Sequence, residues 1–235
     1  MQLFYNADIN EADTEFSLSA EESKHIIKVL RKKEDDLLHI TNGKGYIFTV
    51  KITTANAKKC EVQIIKSRKK HPKRHSLHLA VAPTKMNDRY EWFLEKATEI
   101  GVDEITPIIC TRSERKIIKP ERMEKVIQSA MKQSLRAYLP KFNKAVTLQQ
   151  FLENEQNPLR FIAHCEEVEK SELKRRVAPD TDITLLIGPE GDFTSEEISD
   201  ATAMGYIPVS LGKSRLRTET AAIMACAIVN LINNA

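Results

Sequence analysis

Leu185-Leu186-Ile187-Gly188-Pro189-Glu190-Gly191 and, further on, Leu211-Gly212-Lys213-Ser214-Arg215-Leu216-Arg217-Thr218-Glu219-Thr220-Ala221 are the segments that decide how this chain folds. Each opens as an apolar, strand-like run, breaks at glycine and heads towards a helix. In α/β proteins a ligand sits where a strand ends in glycine at a helix entrance, because free peptide groups converge there and no Cβ blocks close approach. Two such junctions close together in sequence predict one shared pocket, with Glu190, Arg217 and Glu219 as charged groups beside it. The combination points to an enzyme.

Strand and helix patterns alternate around these segments. Leu77 to Ala82 reads as a strand stopped at Pro83, and Asp88 to Ile100 as a helix closed by Gly101. Glu104 to Cys110 resembles a buried strand, and a long helix is expected from Pro120 to about Tyr138. Phe161-Ile162-Ala163, Ile183 to Ile187 and Ile207 to Leu211 are further strands. Thr194 and Glu197 form a capping box for a helix with Ile198 and Ala201 facing in, and Thr218 can cap a closing helix reaching about Ile232. Such alternation predicts a mostly parallel sheet covered on both faces.

The N-terminal part reads differently. Leu37 to Thr41 and Tyr46 to Ile52 are β-rich runs flanking Asn42-Gly43-Lys44-Gly45, a strong hairpin signal, and Cys60 to Ile65 is a third run. One helix interrupts them, with Ser19 as its cap, Glu22 at the capping-box position and His25, Ile26, Val29 and Leu30 on one face. Lys66 to His75, KSRKKHPKRH, has no apolar residue apart from Pro72 and reads as a basic linker, either simply solvated or touching phosphates. The expected division is residues 1–72, a compact β-barrel, and residues 73–235, an α/β domain.

Composition narrows the class. A hydrophobic content of 41% with 29% charge suits a soluble globular chain rather than a disordered one. Residues 1–75 hold 15 Lys and Arg against 10 Asp and Glu, while the remainder holds 21 against 23, so the basic excess sits in the N-terminal part and points to an anionic partner. Cys60, Cys110, Cys165 and Cys226 are far apart, and the six histidines are scattered, so neither a disulfide framework nor a metal site is indicated. The residues from Met1 to Asn10 lack a signal-peptide pattern. The most apolar stretch, Ala221 to Val229, is far shorter than the roughly 20 residues a bilayer span needs. A reduced, cytoplasmic protein is expected.

The site residues have plain readings as well as functional ones. Gly188-Pro189-Glu190-Gly191 matches neither a dinucleotide fingerprint nor a P-loop, and can be a tight turn with no ligand or a backbone cradle for a nucleoside. Glu219 can simply complement a helix dipole, but Arg217 opposes it and calls for a partner or a function. Lys85, Asp88 and Arg89 are ordinary surface charges when taken alone, as is Arg136.

Together these segments resemble the RsmE family of the SPOUT superfamily, the small-subunit ribosomal RNA uridine-N3 methyltransferases. The matching pieces run in order: His25 with Val29-Leu30-Arg31; Pro83-Thr84-Lys85 with Asp88-Arg89 and Lys96 to Val102; Gln133-Ser134-x-Arg136 with Leu139-Pro140; then the two glycine segments. Asp192 stands where the family usually has a second glycine, Ser129 where an acidic residue is common, and the first four residues lack an Arg often found there. The resemblance implies a PUA-like β-barrel followed by a SPOUT α/β domain whose C-terminal segment forms a deep trefoil knot. It also implies a homodimer through the knotted domain, small-subunit (16S) ribosomal RNA or the assembled subunit as partner, and S-adenosylmethionine as cofactor. It places Leu186, Ile187, Gly188, Pro189, Glu190, Gly191, Leu211, Gly212, Leu216, Arg217 and Thr220 at the cofactor and Arg217, Glu219 and Glu190 at the chemistry. RNA would be held by Arg31, Lys32, Lys69, Lys70, Lys85, Arg89 and Arg136. Two alternatives stay open: a SPOUT enzyme with another target, such as a ribose 2′-hydroxyl, and a non-catalytic RNA-binding factor.

Overall fold

The turn at Asn42-Gly43-Lys44-Gly45 organises the N-terminal part of the chain, in a computed structural model that describes residues 2–233. Of the first four residues, which lack the Arg often found in the family, Met1 lies outside the described residues. Gly43 and Gly45 adopt φ of 69° and 98°, which side chains rarely tolerate, and so fold β3 (Leu37–Thr41) back onto β4 (Tyr46–Thr54). With β1 (Leu3–Tyr5), β2 (Glu15–Ser17) and β5 (Glu61–Lys69), these make a five-stranded sheet in the order β1-β3-β4-β5-β2. Phe4, Leu38, Ile40, Phe48, Val50, Ile52 and Val62 from its strands share one core with Ile9, Leu18, Ile26 and Cys60, so the sheet curls round a single interior.

Two expectations are corrected here. Ser19 caps α1 (Ala20–Lys24) by accepting from the Glu22 N–H at 3.2 Å, but the helix passes into a π-helical turn, His25–Val29. That wider turn breaks the i, i+3 alignment, so Ile26 is buried while Val29 is 65% exposed. The basic segment is not all linker either. Lys66, Ser67, Arg68 and Lys69 continue β5 and pair with Thr49, Phe48, Ile47 and Tyr46. A ladder needs only backbone groups, and β2 covers β5 only at Glu61–Gln63, so charged side chains suit the uncovered edge.

The rest of the chain builds an eight-stranded sheet. Its elements are β6 (Leu77–Val81), α2 (Asn87–Ile100), β7 (Glu104–Ile109), α3 (Pro120–Gln133), β8 (Lys141–Phe142), β9 (Val146–Thr147), α4 (Leu148–Asn154), β10 (Leu159–Ala163), β11 (Ser171–Glu172), β12 (Ile183–Ile187), α5 (Ser195–Ala203), β13 (Ile207–Ser210) and α6 (Thr218–Asn233). The order is β11-β13-β10-β12-β6-β7-β8, with β9 also on β7, and every pair is parallel. β6 and β12 lie side by side at the centre and are buried at every position, as an all-parallel sheet covered on both faces requires. Tertiary packing alone supports the two-residue strands, which carry no periodic signal. α4 was missed although Thr147 and Gln150 form a capping box at its start.

By backbone packing the chain divides into two compact units. One comprises the residues up to Pro72 with Gln128–Leu139; the other comprises Lys73–Ile127 with the residues from Pro140 onward. α3 ends at Gln133, short of the expected Tyr138, because Leu135 takes a left-handed φ of 56°. The Arg136 N–H then reaches the Met131 carbonyl at 3.1 Å and the Leu135 N–H that of Lys132 at 3.3 Å, the paired bonds of a Schellman stop.

Candidate active site

β10 lies between β12 and β13, so the segments leaving the carboxyl ends of these three parallel strands are neighbours. This is the end of an open parallel sheet where ligands bind. A cavity of about 500 Å³ opens there, lined by Leu211, Gly212 and Leu216 of the second glycine segment and by the stretch from Ala163 to Lys170. A larger cavity, about 660 Å³, is lined by His78 and Glu104 at the amino ends of β6 and β7, the wrong end for this chemistry.

The first glycine segment is held from several sides. A Cβ on Gly188 would come within 3.1 Å of the Phe193 ring, and one on Gly191 within 3.1 Å of Arg112. Arg112 Nη1 donates to the carbonyls of Gly191 at 2.9 Å and Phe193 at 3.2 Å. Glu190 Oε1 accepts the Lys85 N–H at 2.9 Å, and Arg115 Nη2 donates to the Lys85 carbonyl at 2.7 Å. Asp192 explains itself. Its φ of 62° is one that glycine, or the short side chain of aspartate, can take, and its carboxylate accepts the N–H groups of Phe193 at 2.9 Å and Cys165 at 2.7 Å. It thus ties the segment after β12 to the segment after β10.

Thr218 was expected as a cap. It stands instead inside the first turn of α6, and its buried hydroxyl donates to the Gly188 carbonyl at 3.0 Å, joining the two glycine segments directly. The next residue, Glu219, is buried; its Oε1 lies 3.8 Å from Arg89 Nε, and Oε2 has no hydrogen-bond partner. The Arg217 side chain is exposed at the mouth of the helix. Leu186, Ile187 and Pro189 are buried, while Glu190 and Gly191 are exposed and Thr220 is half-buried; none of these lines the cavity.

The sequence reading missed the third segment. His164 is buried with its Nε2 unpartnered, and burial, aided by the Lys170 charge, holds its pKa below the ordinary value, so the ring is neutral at neutral pH. Lys170 Nζ donates to the carbonyls of His164 at 2.7 Å and Glu166 at 2.6 Å, which closes this loop. Burial and the nearby Asp192 carboxylate push the Cys165 thiol up, away from thiolate chemistry. The signal was available: a His-Cys pair directly follows the apolar run Phe161-Ile162-Ala163. Peptide groups, a neutral imidazole and a cavity of this size fit a nucleoside-bearing cofactor such as S-adenosylmethionine, small-molecule sites being about 300–1,000 Å³.

The expected RNA contacts fall in two groups. Lys85 and Arg89 lie in the unit that carries the glycine segments, with Lys85 Nζ 2.8 Å from Glu114 Oε2. Arg31, Lys32, Lys69, Lys70 and Arg136 belong to the other unit. There Arg31 has φ 56°, Lys32 lies 3.9 Å from Asp36, and the Lys69 ammonium sits 5.4 Å from the centre of the Tyr46 ring.

Residues 69–230 match the RNA methyltransferase domain family, and residues 18–65 the RNA methyltransferase PUA domain. Fold and site therefore define an RNA methyltransferase: a PUA-like N-terminal domain followed by a SPOUT-type α/β domain, the fold class with the C-terminal trefoil knot. Ribosomal RNA small subunit methyltransferase E of Rickettsia conorii is 31% identical over 99% of this chain and 96% of its own length. A probable rRNA methyltransferase from Porphyromonas gingivalis superposes with a TM-score of 0.93 at 39% identity, over 100% of this chain and 99% of that one. A putative methyltransferase from Legionella pneumophila, solved with bound S-adenosylmethionine, gives 0.89 at 31% identity over 98% and 97%. The chain belongs to the ribosomal RNA small subunit methyltransferase E (RsmE) family. Among the described residues no helix is long and apolar enough to cross a membrane.

Proposed function

We propose that this protein methylates N3 of a uridine in small-subunit (16S) ribosomal RNA, with S-adenosylmethionine as methyl donor. The observation that carries the reading is the cavity lined by the segments leaving β10 and β13, with the first glycine segment, after β12, tied to both by the Asp192 carboxylate and the hydroxyl of Thr218. The cofactor would be held by the backbone of Leu211–Leu216, by the Gly188–Gly191 segment and by His164. Bound there, it supplies an electrophilic methyl group. N3 lies on the Watson–Crick edge and carries a proton at neutral pH, so the base must be unpaired and the proton removed. Glu219 suits the proton acceptor, because its Oε2 is unpartnered whereas Glu190 Oε1 is occupied by the Lys85 N–H. Arg217, exposed beside it, would stabilise the charge that develops on the uracil carbonyls.

The rest of the reading follows from this chemistry. Residues 1–72 act as the RNA-binding barrel and residues 73–235 as the methyltransferase domain. Arg31, Lys32, Lys69, Lys70 and Arg136 contact phosphates in the first unit, and Lys85 and Arg89 do so beside the site. Two copies pair through the knotted domain, for which Met224 and Leu231 of α6, 41% and 69% exposed, offer apolar surface. The protein works in the cytoplasm, where its substrate is assembled. The test is transfer from labelled S-adenosylmethionine to small ribosomal subunits from cells lacking the homologous enzyme, followed by nucleoside identification by mass. N3-methyluridine is the expected product; a different labelled nucleoside would move the target, and no transfer without cofactor binding would favour a non-catalytic factor.

A further inference from the structure

An exposed tyrosine stands where the Asn42–Gly45 turn meets the basic end of β5. Tyr138 is 37% exposed, yet it is held at three points. Its backbone forms a β-bridge with Lys44, the preceding carbonyl of Ala137 accepts the Gly45 N–H at 2.9 Å, and its hydroxyl donates to the Lys70 carbonyl at 2.9 Å. Its ring occupies the space in front of Gly45 that any β-carbon would need. One side of the ring is therefore packed on backbone while the remainder meets water. Along β4, Ile47 and Thr49 alternate away from the buried Phe48 and Val50, and their cross-strand partners Arg68 and Lys66 stand beside them. Lys66, Arg68 and Lys70 are exposed, and none has an ion pair with another described residue.

A pinned, half-open ring beside unpaired cations is the chemistry that holds single-stranded nucleic acid: a base stacks on the ring while phosphates meet the cations. A paired strand cannot use such a ring, since its base faces are already covered. We infer that Tyr138 is a stacking platform for one unpaired base of the substrate RNA, with phosphates held by Lys66, Arg68 and Lys70. This rests on the RNA-methylating reading above and adds how the N-terminal unit grips the strand.

The test uses the full chain and a fluorescently labelled uridine-containing oligonucleotide, measured by anisotropy as a single strand and as a perfect duplex. Tyr138→Leu is expected to weaken single-strand binding about 5- to 150-fold, with duplex binding within about twofold. Tyr138→Trp, which restores a stacking face, should recover most of the loss. Single-strand binding by Tyr138→Leu equal to wild type, or a Trp variant no better than the Leu variant, overturns the platform. If the wild type binds the single strand through Tyr138 but transfers no methyl group to small subunits, the platform stands and the methylation reading fails.

Discussion

Replacing Thr218 by Val tests whether the two glycine segments act as one cofactor site. The change keeps the shape and removes the hydroxyl that donates to the Gly188 carbonyl at 3.0 Å. Thr218 is only 5% exposed, so water cannot replace the lost donor, and an unsatisfied buried acceptor costs about 1–3 kcal/mol. For a chain of this length that lowers the thermal midpoint by roughly 2–4 °C per kcal/mol. Loosening the tie by 1–2 kcal/mol should also weaken S-adenosylmethionine about 5- to 30-fold, since 1.4 kcal/mol is tenfold. Calorimetric titration with the cofactor and a thermal scan measure both effects. Thr218→Ser keeps the hydroxyl and should behave much like wild type. Unchanged cofactor affinity in Thr218→Val, with the stability loss present, would refute the coupling of the two segments and leave Thr218 a structural residue alone.

Arg217→Ala should cut turnover by well over tenfold, about 1.4 kcal/mol or more of barrier, and leave the cofactor dissociation constant nearly intact; an unchanged turnover removes it from the chemistry. Glu155 gives a pH dependence. Burial would push its carboxyl up, but hydrogen bonds from His78 at 2.7 Å and the Asn157 N–H at 2.8 Å prevail and hold it at about 2, from an ordinary 4.5. A lowered carboxyl stabilises the fold fully above about pH 4.5, and that contribution is lost as pH falls towards 2. Urea midpoints at pH 6, 4 and 3 should drop more steeply for wild type than for Glu155→Gln, and parallel slopes would count against the assignment. Leu135→Gly should raise stability by ~1 kcal/mol, because φ of 56° strains a leucine and the side chain is 39% exposed; a lower urea midpoint would contradict the strain.

Much of the α/β part was legible because its signals are local. The five-residue, mostly apolar strands at Leu77 and Ile183, each with one polar residue, are what strands buried on both faces look like, and Thr194 with Glu197 satisfies helix-end donors three residues apart. In two places the local reading failed through a change of helical pitch or a backbone angle. The π-helical turn at His25–Val29 turned Val29 outward, and the left-handed Leu135 stopped α3 early. Neither leaves a mark in apolar spacing. β5 ran into charged residues because its pairing is carried by backbone groups that every residue shares.

The sequence by itself determined the class of fold, the two glycine segments and the charged residues beside them, since strand periodicity, glycine and helix-capping residues act over a few neighbouring positions. Only the tertiary structure decided what those segments face. It brought the Ala163–Lys170 stretch into the cavity, set Arg112 against the Gly191 carbonyl, joined Asp192 to Cys165 and hung Gly188 from Thr218. These partners are 27 to 79 residues apart in the chain. A hydrogen bond over such a separation depends on how the parallel strands are ordered in the sheet, and that order is settled by the packing of the whole domain rather than by any local pattern.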